Sequence, residues 1–260
     1  MRLTVGGIDS FVATGGRDFD PALPALVFIH GGGMDHSAWA LHSRWFAHHG
    51  SAVLAPDLPG HGKSGGAPLP SIGAMADWIA ALIGAAGVAA ARLVGHSMGS
   101  LIALDAAARH PGRVSGLALI GASAPMPVGA DLLKAAAEND HAAIDMVSLW
   151  GLGPTATEGG CLAPGLWMLG GAQRVLEAAR PGVLFSDLRA CDNYKDGPDA
   201  AARVAAPATL ILGERDQMTP LRAGKALASA IPGARTVVLA GAGHMLMAER
   251  PDAVLAALRG

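Results

Sequence analysis

Short apolar runs that alternate with helical patterns restrict the fold of this chain more than any other feature. Six such runs span 25–30, 51–57, 91–96, 114–122, 208–214 and 236–243. Amphipathic patterns typical of helices lie at 37–49, 71–87, 98–110, 220–231 and 248–258. Near-continuous apolar runs are typical of parallel strands that are covered on both faces. The alternation predicts an α/β fold with a doubly wound, mostly parallel sheet and right-handed crossovers.

Two segments depart from this alternation. Residues 2–5 and 10–14 are predicted to form an antiparallel hairpin at the sheet edge, turning at Gly6 and Gly7. Residues 123–204 contain no clear strand and are rich in proline, tryptophan and methionine. We interpret this second segment as a helical cap, or lid, inserted into a core formed by residues 1–122 and 205–260.

Composition excludes several classes of protein. Apolar residues make up 51% of the 260 residues and charged residues 15%, which favours one large domain with a sizeable core. The net charge is -2 and the basic residues are scattered, so we expect neither nucleic-acid nor membrane-surface binding. No signal-peptide pattern and no apolar run of membrane-spanning length is present, and we expect a cytoplasmic protein. A monomer and a homodimer are both compatible with the sequence.

Cysteine and histidine usage predicts no metal site. Cys161 and Cys191 form neither a disulfide framework nor metal-ligand spacing, so we interpret both as reduced, buried thiols. The ten histidines include His36, His48 and His49, but no HExxH pattern accompanies them. We therefore expect no metal and no organic cofactor.

Ser97 lies in a pattern that suits a nucleophile. Ligands of open parallel sheets bind beyond the carboxyl ends of the strands. There the run 91–96 leads into Gly95-His96-Ser97-Met98-Gly99, which matches the G-x-S-x-G nucleophile elbow. In that turn the serine is strained and exposed, its neighbours two residues away must be small, and the next helix favours developing negative charge.

Three other strand ends carry groups that would complete such a site. The run 25–30 leads into an HGGG-type motif, in which Gly32 (or Gly33) would supply an oxyanion N–H beside that of Met98; a plain glycine loop is the alternative. Asp216 and His244 follow the runs 208–214 and 236–240. The order Ser97, Asp216, His244 is that of serine hydrolases with this topology, with His244 as the base and Asp216 orienting it. Thr219 would cap the helix that begins at Pro220, which leaves Asp216 free for this role.

Together these motifs make the chain resemble α/β-hydrolases of the esterase and lactonase type. The matching stretches are HGGG (30–33), DLPGHGKS (57–64), GHSMGS (95–100), GERDQMTP (213–220) and GAGHMLMAERP (241–251). The resemblance implies a variable helical cap at 123–204. It also implies that Asp57, His61 and Lys63 form a structural turn rather than a catalytic cluster. We interpret His96 as a packing or polar neighbour of the serine, not as the base.

Serine chemistry narrows the reaction. A serine rather than an aspartate at the elbow argues against epoxide hydrolysis and dehalogenation, and predicts an acyl-enzyme route on a small to medium ester, thioester or lactone. A C–C hydrolase, a cofactor-free perhydrolase and a non-hydrolytic ligand-binding protein remain alternatives. The substrate pocket is predicted to include Gly31, Trp39, Met126, Trp150, Met218 and Met245. Residues 190–197 are interpreted as a solvated loop, with polar contacts to substrate as the alternative.

Overall fold

The computed structural model describes residues 1–158 and 167–260, and the prediction for Cys161 lies outside these residues. Its centre is an eight-stranded sheet with the strand order β1-β2-β4-β3-β5-β6-β7-β8. The strands are β1 (Arg2–Val5), β2 (Ile8–Ala13), β3 (Ala25–Ile29), β4 (Ala52–Pro56), β5 (Ala91–His96), β6 (Val114–Ile120), β7 (Ala208–Gly213) and β8 (Arg235–Leu239). The first two strands pair antiparallel, β2 runs antiparallel to β4, and the remaining pairs are parallel. The predicted α/β fold and the N-terminal hairpin are confirmed.

Helices connect and flank the strands. They are α1 (Ala40–Ala47), α2 (Ile72–Ala85), α3 (Met98–Arg109), α4 (Ala130–Ala137), α5 (His141–Gly151), α6 (Pro154–Thr157), α7 (Met168–Glu177), α8 (Val183–Asn193), α9 (Gly197–Ala202), α10 (Leu221–Ala230), α11 (Leu246–Glu249) and α12 (Pro251–Arg259). Two predicted helices are each divided. The first becomes a 3-10 turn at His36–Trp39 followed by α1. The last is interrupted before Pro251, which begins α12. Proline suits this position because N–H groups in the first turn of a helix have no acceptor within the helix.

The sheet separates two apolar clusters. Alternate residues of β3 point to opposite faces, so Val27 and Ile29 belong to one cluster and Phe28 to the other. The strand β8 differs from the sequence prediction because it ends at Leu239 and lies at the sheet edge, where Val238 is 41% exposed. An apolar run at an edge strand therefore does not imply burial on both faces.

Between β6 and β7 the described residues form helices α4 to α9 and no strand. Several of these helices share a third apolar cluster with Met34 and Met245 of the core. At its C-terminal end the insertion joins the main core, because Ala200 and Ala201 pack there without exposure. Among the described residues, no helix has both the length and the apolar character needed to span a membrane.

Candidate active site

Ser97 occupies a strained turn between β5 and α3. Its backbone angles are φ 53 and ψ -118, in a region that a residue with a side chain rarely adopts. A Cβ atom on Gly95 would lie 2.1 Å from the carbonyl oxygen of Gly99, and one on Gly99 would lie 2.3 Å from that of Ile29. Both glycines are therefore required by the close approach of backbone on either side of the serine.

Asp216 and His244 meet beyond the ends of β7 and β8. The Nδ1 atom of His244 lies 2.8 Å from Oδ2 of Asp216, and both side chains are almost fully buried. The other oxygen of Asp216 accepts the backbone N–H groups of Met218 and Thr219 at 2.9 and 2.7 Å. Burial alone raises the pKa of the Asp216 carboxyl, but the His244 charge and the hydrogen bonds outweigh burial and hold the pKa below its ordinary value. Asp216 is thus an ionised acceptor that fixes the proton of His244 on Nδ1.

Thr219 does not cap the following helix. Pro220 is the residue before α10, and the Thr219 hydroxyl donates to Oδ2 of Asp216 at 2.7 Å. The same hydroxyl lies 3.2 Å from Nδ1 of His244. The prediction that Thr219 caps this helix was wrong. A threonine before a proline is typical of a helix start, and the sequence does not show that the hydroxyl reaches Asp216 instead.

One cavity of about 180 Å³ brings Ser97 and His244 together. Five of the predicted pocket residues line it, and they are Gly31, Met126, Trp150, Met218 and Met245. Trp39 does not: it is fully buried against Phe28 in the core, with ring centroids 5.3 Å apart. Further apolar walls come from the cap, in particular Leu132, Val147, Leu184 and Leu188.

The loop that follows β3 passes beside Ser97. A Cβ atom on Gly31 would lie 3.4 Å from that of Ser97, so a side chain here would crowd Ser97. The N–H of Gly33 donates to Oδ2 of Asp187 at 2.8 Å, which removes Gly33 as an oxyanion donor. Among the hydrogen bonds of the described residues, none uses the N–H of Gly32 or of Met98. Gly32 and Met98 are therefore the two donors that remain available.

Two buried histidines near the site are held neutral. His96 donates from Nε2 to the carbonyl oxygen of His244 at 2.9 Å. His30 accepts the N–H of Leu58 at Nε2 and donates from Nδ1 to the carbonyl of Gly31. Burial and a neighbouring histidine lower the pKa of His96 to about 3 and that of His30 to about 4. Neither is suited to accept a proton from Ser97.

Acid should destabilise this protein before its carboxylates titrate. When the pH falls below the ordinary histidine pKa of 6.5, His30 and His96 become protonated in the unfolded chain. In the folded chain they stay neutral until the pH reaches their lowered pKa values. We expect the free energy of unfolding to fall by about 2 kcal/mol per histidine between about pH 6.5 and about pH 5. Urea unfolding at several pH values measures this loss.

His96→Gln should remove the part of this loss that His96 contributes, whereas His30 and His42, whose pKa values burial also lowers, should keep theirs. His61 acts in the opposite direction: its pKa is raised, so its contribution is full below the unfolded value and is lost as the pH rises. A stability that stays constant between neutral pH and about pH 5 would contradict the assignment.

The DLPGHGKS turn is held by its own aspartate. One oxygen of Asp57 accepts from the backbone N and from Nδ1 of His36 at 2.8 and 2.7 Å, and the other accepts the N–H of Lys63 at 2.8 Å. Asp57, with Asp35 and His36, also has the spacing of a cation site. Because hydrogen bonds from the protein already occupy both oxygens of Asp57, the arrangement serves the turn.

The loop that carries His244 is tied to the first part of the cap. The carbonyl oxygen of Gly151 accepts the N–H groups of His244 and Met245 at 3.0 and 2.8 Å. The buried carboxylate of Glu249 accepts the N–H groups of Gly153 and Gly243, both at 3.0 Å. Sequence reasoning missed this connection because the two segments lie about ninety residues apart in the chain.

Polar residues late in the cap make structural contacts. Asp192 accepts the N–H of Val128 at 3.0 Å, and the hydroxyl of Tyr194 donates to Asp105 at 2.8 Å. Cys191 is buried and free, and burial raises the pKa of its thiol well above the ordinary value. The thiol lines the cavity in protonated form and is not a competing nucleophile.

Known proteins share both the sequence pattern and the fold. The chain is 31% identical over 249 residues to a pimeloyl-[acyl-carrier protein] methyl ester esterase of Aromatoleum aromaticum, covering 88% of this chain and 94% of that one. It is 36% identical over 229 residues to the protein of the same name from Chromobacterium violaceum, covering 81% and 83%. Among solved structures, an enol-lactonase from Burkholderia xenovorans superimposes with a TM-score of 0.86 at 26% identity, over 100% of this chain and 98% of that one.

The family-level match is equally extensive. Residues 26–257 match the sequence profile of the Alpha/beta hydrolase family, which takes in every strand from β4 to β8 and all of the predicted site residues. The chain belongs to the alpha/beta hydrolase family.

Proposed function

We propose that Ser97, His244 and Asp216 form the catalytic triad of an enzyme that hydrolyses neutral carboxylic esters or lactones of small to medium size. The chain is a serine hydrolase of esters or lactones, as its family and its esterase relatives support. The observation that carries the residue assignment is the buried 2.8 Å pair of Asp216 and His244, of which His244 lines the same cavity as the strained Ser97.

In each half of the reaction, His244 accepts a proton from the attacking group and returns it to the leaving group. His244 takes the hydroxyl proton of Ser97 at Nε2 as the serine oxygen bonds to the substrate carbonyl carbon, and the carbonyl electrons move onto oxygen. The N–H groups of Gly32 and Met98 stabilise that oxyanion. Collapse breaks the bond to the alcohol oxygen, which leaves with the proton from His244. Water then gives a proton to His244 as it attacks the acyl carbon. When this second intermediate collapses, the bond to the Ser97 oxygen breaks, that oxygen takes the proton back from His244, and the acid is released.

The cavity favours uncharged substrates. No arginine or lysine occurs among its described lining residues, and ten of the 21 lining residues are methionine, valine or leucine. A free carboxylate inside would lose its hydration without a partner, which costs several kcal/mol. The two relatives are named for a methyl ester, and methylation removes the negative charge of a carboxylate. We therefore propose methyl esters and lactones of apolar acyl groups as the preferred substrates.

A matched pair of esters tests the proposal. Methyl hexanoate and the monomethyl ester of adipate present similar chains that differ by a terminal carboxylate. The neutral ester should be hydrolysed with a kcat/KM roughly 10-fold or more above that of the anion, since burial of an unpaired charge is disfavoured. Ser97→Ala should release no acid above background, and a fluorophosphonate should add to Ser97 alone. Equal product release by wild type and Ser97→Ala would identify a non-hydrolytic member of the family.

A further inference from the structure

A second buried aspartate–histidine pair lies on the other side of the loop that carries Gly32. Asp187 comes from cap helix α8 and His61 from the DLPGHGKS turn, and Nε2 of His61 lies 2.8 Å from Oδ2 of Asp187. Both side chains are at most 1% exposed. The same Oδ2 accepts the N–H of Gly33 at 2.8 Å, so one carboxylate oxygen joins three separate segments of the chain.

The hydrogen bonds of His61 require a positive charge. Its Nδ1 lies 3.0 Å from the carbonyl oxygen of Pro59, which can only accept. Its Nε2 faces a carboxylate oxygen that already accepts from Gly33. Both ring nitrogens must therefore carry protons. Burial lowers the pKa of His61, but the charge and hydrogen bond of Asp187 outweigh burial and raise it.

Hydrogen bonds fix the peptide units on both sides of Gly32. On one side, His30 donates to the carbonyl of Gly31 at 2.9 Å. On the other side, Asp187 holds the N–H of Gly33. A Cβ atom on Gly32 would lie 3.3 Å from that of Asp187, so the cap helix packs directly against the loop. Of the N–H groups in these two peptide units, that of Gly32 has no acceptor among the hydrogen bonds of the described residues, whereas that of Gly33 has Asp187.

We propose that Asp187, paired with His61, is a positioning residue that sets the oxyanion loop from the cap. It does not touch the substrate: its neighbours Leu184, Leu188 and Cys191 line the cavity, whereas Asp187 lies behind Gly33. Its effect is transmitted through Gly33 to the adjacent N–H of Gly32. This inference rests on the proposed function, because an oxyanion donor matters only if acyl transfer occurs.

The decisive comparison is Asp187→Ala against Asp105→Ala. Asp105 is similarly buried and forms another contact between core and cap, accepting from Tyr194, but it lies away from the oxyanion loop. Asp187→Ala should lower kcat roughly 10- to 100-fold with KM nearly unchanged, less than the roughly 10²- to 10³-fold loss when a donor is removed outright. The affinity for a trifluoromethyl ketone, which forms an oxyanion on Ser97, should fall in parallel. Asp187→Asn keeps an acceptor for Gly33 and should recover part of both.

Asp105→Ala should lower the melting temperature while keeping kcat within about twofold of wild type. Equal losses of kcat in the two alanine variants, or an unchanged kcat in Asp187→Ala, would overturn the proposal. If Asp187→Ala does not fold, Asp187→Asn takes its place; a loss of kcat of about threefold or more supports the role and no loss overturns it.

Hydrogen exchange gives a readout that needs no turnover. The backbone amide of Gly33, which donates to Asp187 in wild type, should exchange faster in Asp187→Ala, and Asp105→Ala should leave its exchange unchanged. Unchanged exchange in Asp187→Ala would reject the positioning role even if no ester is hydrolysed. Failure of the ester assays with faster exchange would instead reject the proposed substrate class and leave the positioning role supported.

Discussion

Replacing Asp216 with asparagine is expected to lower kcat by about 10⁴-fold while leaving the fold intact. The carboxylate now accepts the Nδ1 proton of His244 at 2.8 Å. An asparagine amide can instead donate to Nδ1, which moves the imidazole proton to Nε2 and removes the lone pair that takes the proton of Ser97. The backbone N–H groups of Met218 and Thr219 can still bond to the amide oxygen, so the turn should survive.

Asp57→Asn is the matched control, since Asp57 is also buried and also accepts from a histidine Nδ1. This variant should lose stability, because it removes the charge that accepts from His36 and Lys63, but keep kcat within several-fold of wild type. Ester hydrolysis under saturating substrate, together with thermal unfolding of each variant, measures both effects. Full turnover by Asp216→Asn combined with an inactive but folded Asp57→Asn would exchange the two assignments.

Replacing Gly99 with alanine should prevent folding or cost about 4 kcal/mol or more of stability. The new Cβ atom would lie 2.3 Å from the carbonyl oxygen of Ile29 and 2.7 Å from that of His30. Both are backbone atoms of a central strand end, so neither can rotate away as a side chain can. Because typical domains are stable by roughly 5–15 kcal/mol, the variant should be mostly insoluble or unfold at much lower denaturant concentration.

Gly112→Ala provides the comparison for this prediction. A Cβ atom at Gly112 meets nothing within 4 Å, so the change should alter stability by less than about 1 kcal/mol. Soluble yield and urea unfolding are measured side by side for the two variants. Normal stability of Gly99→Ala would mean that the backbones of β3 and α3 are not in close contact beside Ser97.

The sequence could predict the groups whose position follows from local structure. The turn at Ser97 requires a glycine two residues away on either side, and this pattern is visible in the sequence. Asp216 and His244 come after the parallel strands β7 and β8, so the topology brings them to the same edge of the sheet as Ser97. The sequence could not assign Trp39 or Gly33 correctly. The side chain of Trp39 is buried in the core. The N–H of Gly33 donates to Asp187, which lies 154 positions away in the chain.

The groups that sequence reasoning missed have a common property. Asp187, Glu249 and Thr219 act through hydrogen bonds whose partners are set by tertiary packing. A single buried aspartate in a cap helix has no flanking motif, and its periodicity resembles that of any amphipathic helix. Only the packing of α8 against the β3 loop shows that this carboxylate faces Gly33 rather than solvent.

The hydrogen bonds that join Gly151 and Gly153 to the loop that carries His244 restrict how the cap can be redesigned. A Cβ atom on Gly153 would lie 2.8 Å from both Glu249 and the carbonyl of Gly241, so no side chain is tolerated at this junction. A cap grafted from another hydrolase would have to supply a free carbonyl in place of that of Gly151 and a residue without a side chain two positions later. Chimeras joined after residue 153 should therefore keep the hydrogen bonds that hold the His244 loop. Chimeras joined before residue 151 would replace those hydrogen bonds together with the residues that line the cavity.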